Sequence, residues 1–164
     1  MDESVIRELV DSDRAWAAGV LCEHWGSPQI VTRGVVHEAD RLHGLVAWRG
    51  GERVGLATYR IDALRCELVS LNALLEKQGL GTALLSAVTQ AARAAGCRRL
   101  WLVTTNDNTA ALRFYQKRGF RIVAVHRNAL AESRRLKPEM PLIGSDGIPL
   151  CDEIELESML DQPP

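Results

Sequence analysis

The sequence predicts an α/β fold in which helices flank a mixed sheet. Two observations lead to this class. First, two strand-like runs, residues 45–49 and 53–61, are joined by Gly50-Gly51, which suits a tight antiparallel hairpin. Second, an apolar run over residues 66–74 passes through a glycine turn into a long amphipathic helix. The length of 164 residues suits a single domain, 1–164.

The elements before the glycine turn follow from local patterns. Residues 5–9 are typical of a short first strand. Asp11-Ser12-Asp13 then offers N-cap oxygens for a helix that residues 26–28, Gly-Ser-Pro, bring to an end. Its apolar side is formed by Trp16, Val20, Leu21 and Trp25. After the hairpin, residues 66–74 are rich enough in Leu and Val to form a central strand.

The elements after the turn alternate between strand and helix. The longest helix runs from residues 79–82 to Gly96, and residues 99–104 form a buried strand. A second helix starts at residues 106–108 and ends at Arg118. Two last strands are predicted at residues 120–125 and 154–156. The proline-punctuated segment 129–149 is left open between a lid, a wall of an acceptor pocket and a simple crossover.

The composition excludes several classes of function. Hydrophobic residues make up 46% of the chain, but no stretch reaches the roughly 20 apolar residues of a membrane span. The acidic start of the chain lacks the pattern of a secretory signal, so we expect a cytoplasmic protein. Twenty Lys and Arg against 21 Asp and Glu give a net charge of -1, which argues against a nucleic-acid partner.

The cysteines and histidines give no sign of a metal site. Four cysteines are scattered without a CxxC pair, and the histidines lack the spacing of metal ligands. We therefore expect reduced thiols and no metal.

The glycine turn QGLGT, residues 78–82, has a direct chemical use. Glycines let an anion approach the backbone, and the unpaired N–H groups at a helix start attract negative charge. The pattern lacks the GK[ST] of a P-loop, and Leu84 occupies the third glycine position of a dinucleotide fingerprint. It therefore predicts a phosphate-bearing ligand of another kind, with a purely structural turn as the alternative.

A second pattern lies on the next helix. Asn108 starts this helix, and Tyr115 follows two turns later on nearly the same side. An amide and a phenol can thus face one ligand, with Gly119 turning the chain into Phe120.

The two patterns together resemble the GNAT superfamily of acyl-CoA-dependent N-acetyltransferases. Its members carry a Gln/Arg-x-x-Gly-x-Gly/Ala turn and, one strand later, Asn-x-x-Ala-x-x-x-Tyr-x-x-x-Gly-Phe. Here these are EKQGLG and NTAALRFYQKRGF, and the resemblance covers residues 66–123. Glu76 departs from the pattern, and Lys77 and Gln78 are the candidates to replace the lost phosphate donor. The resemblance implies one domain with a mostly antiparallel mixed sheet, splayed at its centre.

The resemblance also implies a donor site for acetyl-CoA. The main-chain N–H near Leu71 would polarise the thioester carbonyl, Tyr115 would protonate the leaving thiolate, and Asn108 would bind the pantetheine arm. Arg113, Lys117 or Arg118 would meet the phosphates. The implied coenzyme-binding residues are Leu71, Ala73, Lys77, Gln78, Gly79, Leu80, Gly81, Thr82, Asn108, Tyr115 and Lys117.

The acceptor side offers fewer signals. An amine must lose a proton before it attacks, and Glu67, in a row with Val69 and Leu71 on one strand face, is the leading base. A buried salt bridge is the alternative role for Glu67. Asp152 and Glu153 are second candidates, and the acidic tail to which they belong would attract a cationic amine, small molecule or peptide.

The leading interpretation is acetyl transfer from acetyl-CoA to a primary amine in a ternary complex. Two alternatives remain, a non-catalytic acyl-CoA sensor and a nucleotide-binding regulator that uses the same turn. A homodimer is also left open.

Overall fold

The computed structural model describes residues 3–161. The strands are β1 (Val5–Glu8), β2 (Gln29–Thr32), β3 (Val35–Glu38), β4 (His43–Arg49), β5 (Glu52–Asp62), β6 (Arg65–Ala73), β7 (Arg99–Thr105), β8 (Arg121–His126) and β9 (Glu153–Met159). Seven of them form one sheet in the order β1-β4-β5-β6-β7-β9-β8. The helices are α1 (Arg14–Trp25), α2 (Leu80–Ala94), α3 (Thr109–Lys117) and α4 (Ala129–Leu136). This is the predicted α/β class.

The sheet is mixed and mostly antiparallel, as predicted. All neighbouring strands run antiparallel except β6 and β7. These two pair in parallel over only three residues, from Arg65 opposite Arg99 to Glu67 opposite Trp101. Beyond Glu67 the two strands are no longer paired, so the sheet opens at its centre.

Helices cover the sheet on both faces. The apolar side of α2 buries Leu80, Leu84 and Val88 in a core with β4, β5 and β6, which explains its strict periodicity. On the opposite face α1 contributes Val20 and Leu21 to a second, smaller cluster. Within residues 3–161, none of the helices combines the length and apolar composition needed to cross a membrane.

Two elements were not predicted. Residues 29–38 form an antiparallel hairpin of two four-residue strands, β2 and β3, outside the main sheet. The segment 129–149, for which the sequence left three roles open, begins with the helix α4. Both elements are short, with strands of four residues and a helix of eight, and long-range contacts hold them. Lys137, for example, donates from Nζ to the carbonyl oxygens of Trp25 (2.8 Å) and Gln29 (2.9 Å).

Candidate active site

A groove of about 620 Å³ opens at the start of α2. Lys77 and Gly79 have positive φ values of 57° and 73°, so the chain turns sharply before the helix. The first intrahelical bond runs from the N–H of Ala83 to the carbonyl of Gly79. The N–H groups of residues 80–82 therefore have no partner within the helix and face a cavity that can hold an anion.

Arg118 adds a positive charge to this helix start. Its guanidinium donates to Thr82 Oγ1 from Nε (2.9 Å) and Nη2 (2.7 Å), and it stacks 3.6 Å from the ring centre of Phe114. Among the three cations that the sequence suggests for phosphate binding, Arg118 lines the groove. Arg113 and Lys117 line an adjoining depression of about 510 Å³.

The remaining predicted coenzyme residues, except Asn108, also meet at the groove. Its walls include Leu71, Ala73, Lys77, Gln78, Gly79, Leu80, Gly81, Thr82 and Tyr115. Glu76, the departure from the family pattern, lies there too and is exposed. Gln78 accepts a hydrogen bond from Arg49 on Oε1, so its side chain is already engaged with β4.

The opening between β6 and β7 forms a narrow gap of about 90 Å³ that adjoins the groove. Leu71, Ala111 and Tyr115 line both cavities. Residues 68–73 of β6 have no partner in β7, so the polar main-chain groups on that edge can reach a ligand.

A bulge in β6 changes the predicted row of residues. Ser70 lies opposite Thr58 and Leu68 opposite Tyr59, so Val69 has no partner in β5. The extra residue reverses the alternation, and Val69 packs in the α1 cluster whereas Leu71 packs against the α2 core. The expectation that Glu67, Val69 and Leu71 share one face was therefore wrong for Leu71.

The oxygen and the nitrogen of the Asn108 amide are in different situations. Its Oδ1 accepts from the N–H of Ala111 at 3.1 Å and so caps α3. Its Nδ2 makes no hydrogen bond within residues 3–161, and the residue lines the gap. The amide can thus hold the helix and still donate to a ligand.

Tyr115 lies at the junction of groove and gap. Its ring packs edge-on against Phe114 and Phe120, and the side chain is 8% exposed. Burial raises the pKa of the phenol above its ordinary value. Within the described part of the chain the hydroxyl has no hydrogen-bond partner, so a protonated donor is available to a ligand.

Glu67 is buried at the edge of this arrangement. Its Oε1 accepts a hydrogen bond of 2.5 Å from Thr32 Oγ1 and lies 3.7 Å from His37 Nε2. Burial raises the pKa of Glu67, and the bond from Thr32 opposes that shift. Among residues 3–161 no Lys or Arg forms an ion pair with it, so the proposed buried salt bridge with such a cation is not observed. Glu67 does not line the groove or the gap.

The second candidates are engaged within the chain. Asp152 Oδ1 accepts from the N–H of Asn128 at 2.8 Å, just before α4. Glu153 is 2% exposed, and its Oε2 accepts from the N–H of Arg33 at 3.0 Å. Farther along β9, Glu155 and Glu157 form ion pairs with Arg99 of β7, at 2.7 Å for Glu155. Much of the acidic charge of the tail is therefore balanced locally.

In the part of the chain that the structure describes, no group of three or more His, Cys, Asp or Glu side chains could hold a metal ion. Cys66 and Cys97 are free and buried. Burial raises the pKa of the Cys66 thiol to about 12, which keeps it protonated and unreactive.

Comparison with known proteins decides the family. A family model described as the acetyltransferase (GNAT) family matches residues 10–120. The chain belongs to this family. The Bacillus subtilis (strain 168) protein YdhI is 44% identical over 142 residues, which cover 86% of this chain and 89% of YdhI.

Solved GNAT structures share the fold. An IAA acetyltransferase from Bacillus cereus ATCC 14579 superposes with a TM-score of 0.77 at 24% identity, covering 96% of this chain and all of that one (100%). A GNAT family acetyltransferase from Elizabethkingia anophelis with acetyl-CoA bound gives a TM-score of 0.69 at 22% identity, covering 98% of this chain and 100% of that chain. The splayed, mostly antiparallel sheet is thus the GNAT fold.

Proposed function

We propose that the protein is an N-acetyltransferase that transfers an acetyl group from acetyl-CoA to a primary amine by direct attack. One observation carries this proposal. The groove, with its free helix amides and Arg118, is continuous with the gap in the sheet through Leu71 and Tyr115. A ligand whose diphosphate lies on the amides can therefore extend its other end between β6 and β7.

The donor half of the site matches the chemistry of coenzyme A. The amides of residues 80–82 and the Arg118 guanidinium suit a diphosphate, because N–H groups and a planar cation both donate to its oxygens. Asn108 Nδ2 would donate to the pantetheine arm. Lys117 and Arg113, in the adjoining depression, suit a further phosphate.

An ammonium acceptor must lose two protons, and the departing thiolate must gain one. Glu67 takes the first proton, and the neutral amine then forms the new C–N bond. The second proton leaves the nitrogen for solvent, from which Tyr115 regains the proton that it supplies to the thiolate. The Cα atoms of Glu67 and Val69 are about 7 Å apart along the strand, so we expect a water to bridge from the gap. The N–H near Leu71 would stabilise the developing oxyanion. As the C–S bond breaks, Tyr115 would protonate the thiolate, and its raised pKa keeps that proton in place until then.

The acceptor is proposed to be a cationic amine, on a small molecule or a peptide. Glu67 is buried and has no Lys or Arg partner within residues 3–161, whereas the Arg33 guanidinium lies 3.8 Å from the buried carboxylate of Glu153. The charge of Glu67 would draw a cation toward the gap. Asp152 and Glu153, at the start of β9, are proposed as further acceptor-binding residues.

The experiment combines binding and turnover. Calorimetry measures acetyl-CoA binding, with ATP as competitor, and thiol release from acetyl-CoA is followed over a panel of amines. The panel contains a lysine peptide, a peptide with a free N-terminus, spermidine and an aminoglycoside. We expect that ATP does not displace acetyl-CoA and that thiol release depends on the presence of one class of amine. Binding without amine-dependent release would instead indicate a sensor, and displacement by ATP would indicate a nucleotide-binding regulator.

A further inference from the structure

The β2–β3 hairpin is held against the sheet by contacts from two other parts of the chain. Its turn residue Arg33, with a φ of 48°, donates from its N–H to Glu153 on β9. The ammonium of Lys137, after α4, donates to the carbonyl of Gln29 at the start of β2. These contacts hold the hairpin in one place relative to the strands that form the gap.

This fixed position brings two hairpin side chains to Glu67. Thr32 Oγ1 lies 2.5 Å from Glu67 Oε1 and 2.7 Å from His37 Nε2. Thr32, His37 and Glu67 are 6%, 4% and 5% exposed, so the chain of three groups is shielded from solvent. In such surroundings a hydrogen bond to a carboxylate is stronger than in water.

The direction of the hydrogen bonds follows from counting hydrogens. A hydroxyl carries one hydrogen, and Thr32 gives it to the carboxylate when Glu67 is ionised. The 2.7 Å contact then requires an N–H on His37 Nε2 as donor. Burial, with the charge of Arg60, lowers the pKa of His37, so the neutral ring with its hydrogen on Nε2 fits these bonds. Both bonds therefore point toward Glu67 and favour its charged form.

We propose that Thr32 and His37 are positioning residues that hold Glu67 ionised and oriented as the proton acceptor, which makes the hairpin part of the acceptor site. This inference rests on the proposed function, because it needs Glu67 to act as the base. It explains why a hairpin outside the main sheet contributes two buried polar side chains to a carboxylate on β6.

Several other charged groups face Glu67. Arg60 on β5 favours its ionised form, whereas Glu153 and Glu155 on β9 oppose it. Glu67 also borders a cleft of about 30 Å³ with Arg60, Asp62, Arg65 and Trp101. That volume accommodates a water molecule, so the cleft gives a proton on Glu67 a route to solvent.

The test uses two matched pairs of variants. Thr32→Val removes the hydroxyl at nearly constant shape, and Thr32→Ser retains it. His37→Phe removes the ring N–H, and His37→Gln supplies a side-chain N–H instead. The readouts are the pH profile of kcat with an active amine from the panel, KM for acetyl-CoA, and the NMR titration of the ¹³C-labelled Glu67 carboxyl carbon, assigned with Glu67→Gln.

We expect Thr32→Val to move the acidic limb of the kcat profile and the Glu67 titration to higher pH, because the bond that opposes the effect of burial is lost. At neutral pH kcat should fall about tenfold, as for the loss of a hydrogen bond to a charged group, with KM for acetyl-CoA unchanged. Thr32→Ser should behave like the wild type. His37→Phe should shift both curves in the same direction, and His37→Gln should shift them less.

The outcomes separate this inference from the function on which it rests. If Glu67→Gln abolishes turnover while Thr32→Val and His37→Phe leave both curves in place, the inference fails and the base assignment stands. If Glu67→Gln is fully active, the assignment of Glu67 fails first and the inference with it. Should Thr32→Val not fold, the histidine pair decides the question alone.

Discussion

The proposed donor and acceptor sides of this site are built in different ways. On the donor side, the groove is lined by two short stretches of chain within residues 71–82 and 110–118, and Asn108 caps its own helix through the N–H of Ala111. On the acceptor side, Thr32 reaches Glu67 across 35 positions, and Arg33 reaches Glu153 across 120. The donor side can therefore be recognised from a short stretch of sequence. The acceptor side exists only once the whole chain has folded, so it is free to differ between proteins that use the same donor.

Replacing Glu67 should separate the two sides most strongly. Glu67→Gln keeps the shape and an oxygen for Thr32 but removes the base, so kcat should fall about 100-fold or more with KM for acetyl-CoA unchanged.

The pH profile of the wild type should report the same group. Burial raises the pKa of Glu67, so wild-type kcat should begin to fall on acidification at a pH above the ordinary glutamate pKa of about 4.3. This acidic limb should be missing from the residual activity of the variant. Steady-state kinetics over pH measure both effects, with Glu132→Gln, an exposed change on α4, as the control. A rise in KM for acetyl-CoA without a change in kcat would contradict the division into two sides.

The loss of the Tyr115 hydroxyl should be the next largest effect. Tyr115→Phe keeps the packing against Phe114 and Phe120 but removes the acid, so kcat should fall at least about tenfold. Since burial raises the pKa of the Tyr115 phenol, its deprotonation should not reduce wild-type activity up to about pH 10. The other tyrosine supplies the control, because Tyr59 is buried in the core and lines neither cavity. Equal kcat values for Tyr115→Phe and Tyr59→Phe would remove Tyr115 from the mechanism.

Asn108 allows the capping and binding roles of one side chain to be separated. Asn108→Asp retains the oxygen that caps α3 but not the Nδ2 donor, so stability should be kept while the Kd for acetyl-CoA rises about tenfold. Asn108→Ala loses both roles and should also unfold more easily, by about 1 kcal/mol. Calorimetry and thermal unfolding measure the two properties. If the aspartate variant binds as tightly as the wild type, the pantetheine contact is not made.

The same contrast explains what could be predicted from the sequence. The start of α2 and the cap of α3 depend on turn chemistry and helical period, which are local, and the structure agrees with both. The buried Glu67 could be singled out as a charge in an apolar row, but its partners could not, because Thr32 and His37 belong to a hairpin with four-residue strands. The bulge at Val69 was also missed, since only pairing with β5 reveals it. Arg118 belonged to a basic segment, but only the fold shows that it, rather than Lys117, reaches the groove.

The smallest effect concerns the backbone of the donor side, where two helical glycines can be compared. A Cβ on Gly81 would lie 3.3 Å from the ring of Phe114 at the start of α2, whereas a Cβ on Gly19, on the exposed side of α1, would meet nothing within 4 Å. Gly19→Ala should stabilise the protein by about 0.5–1 kcal/mol through helix propensity and leave the Kd for acetyl-CoA unchanged. Gly81→Ala should gain less stability, because Phe114 must shift, and that shift should raise the Kd a few-fold by disturbing the ring beneath Arg118. Thermal unfolding and calorimetry on both variants provide the comparison. Identical Kd values would mean that acetyl-CoA binding does not depend on the close approach of α2 to the Phe114 ring on α3.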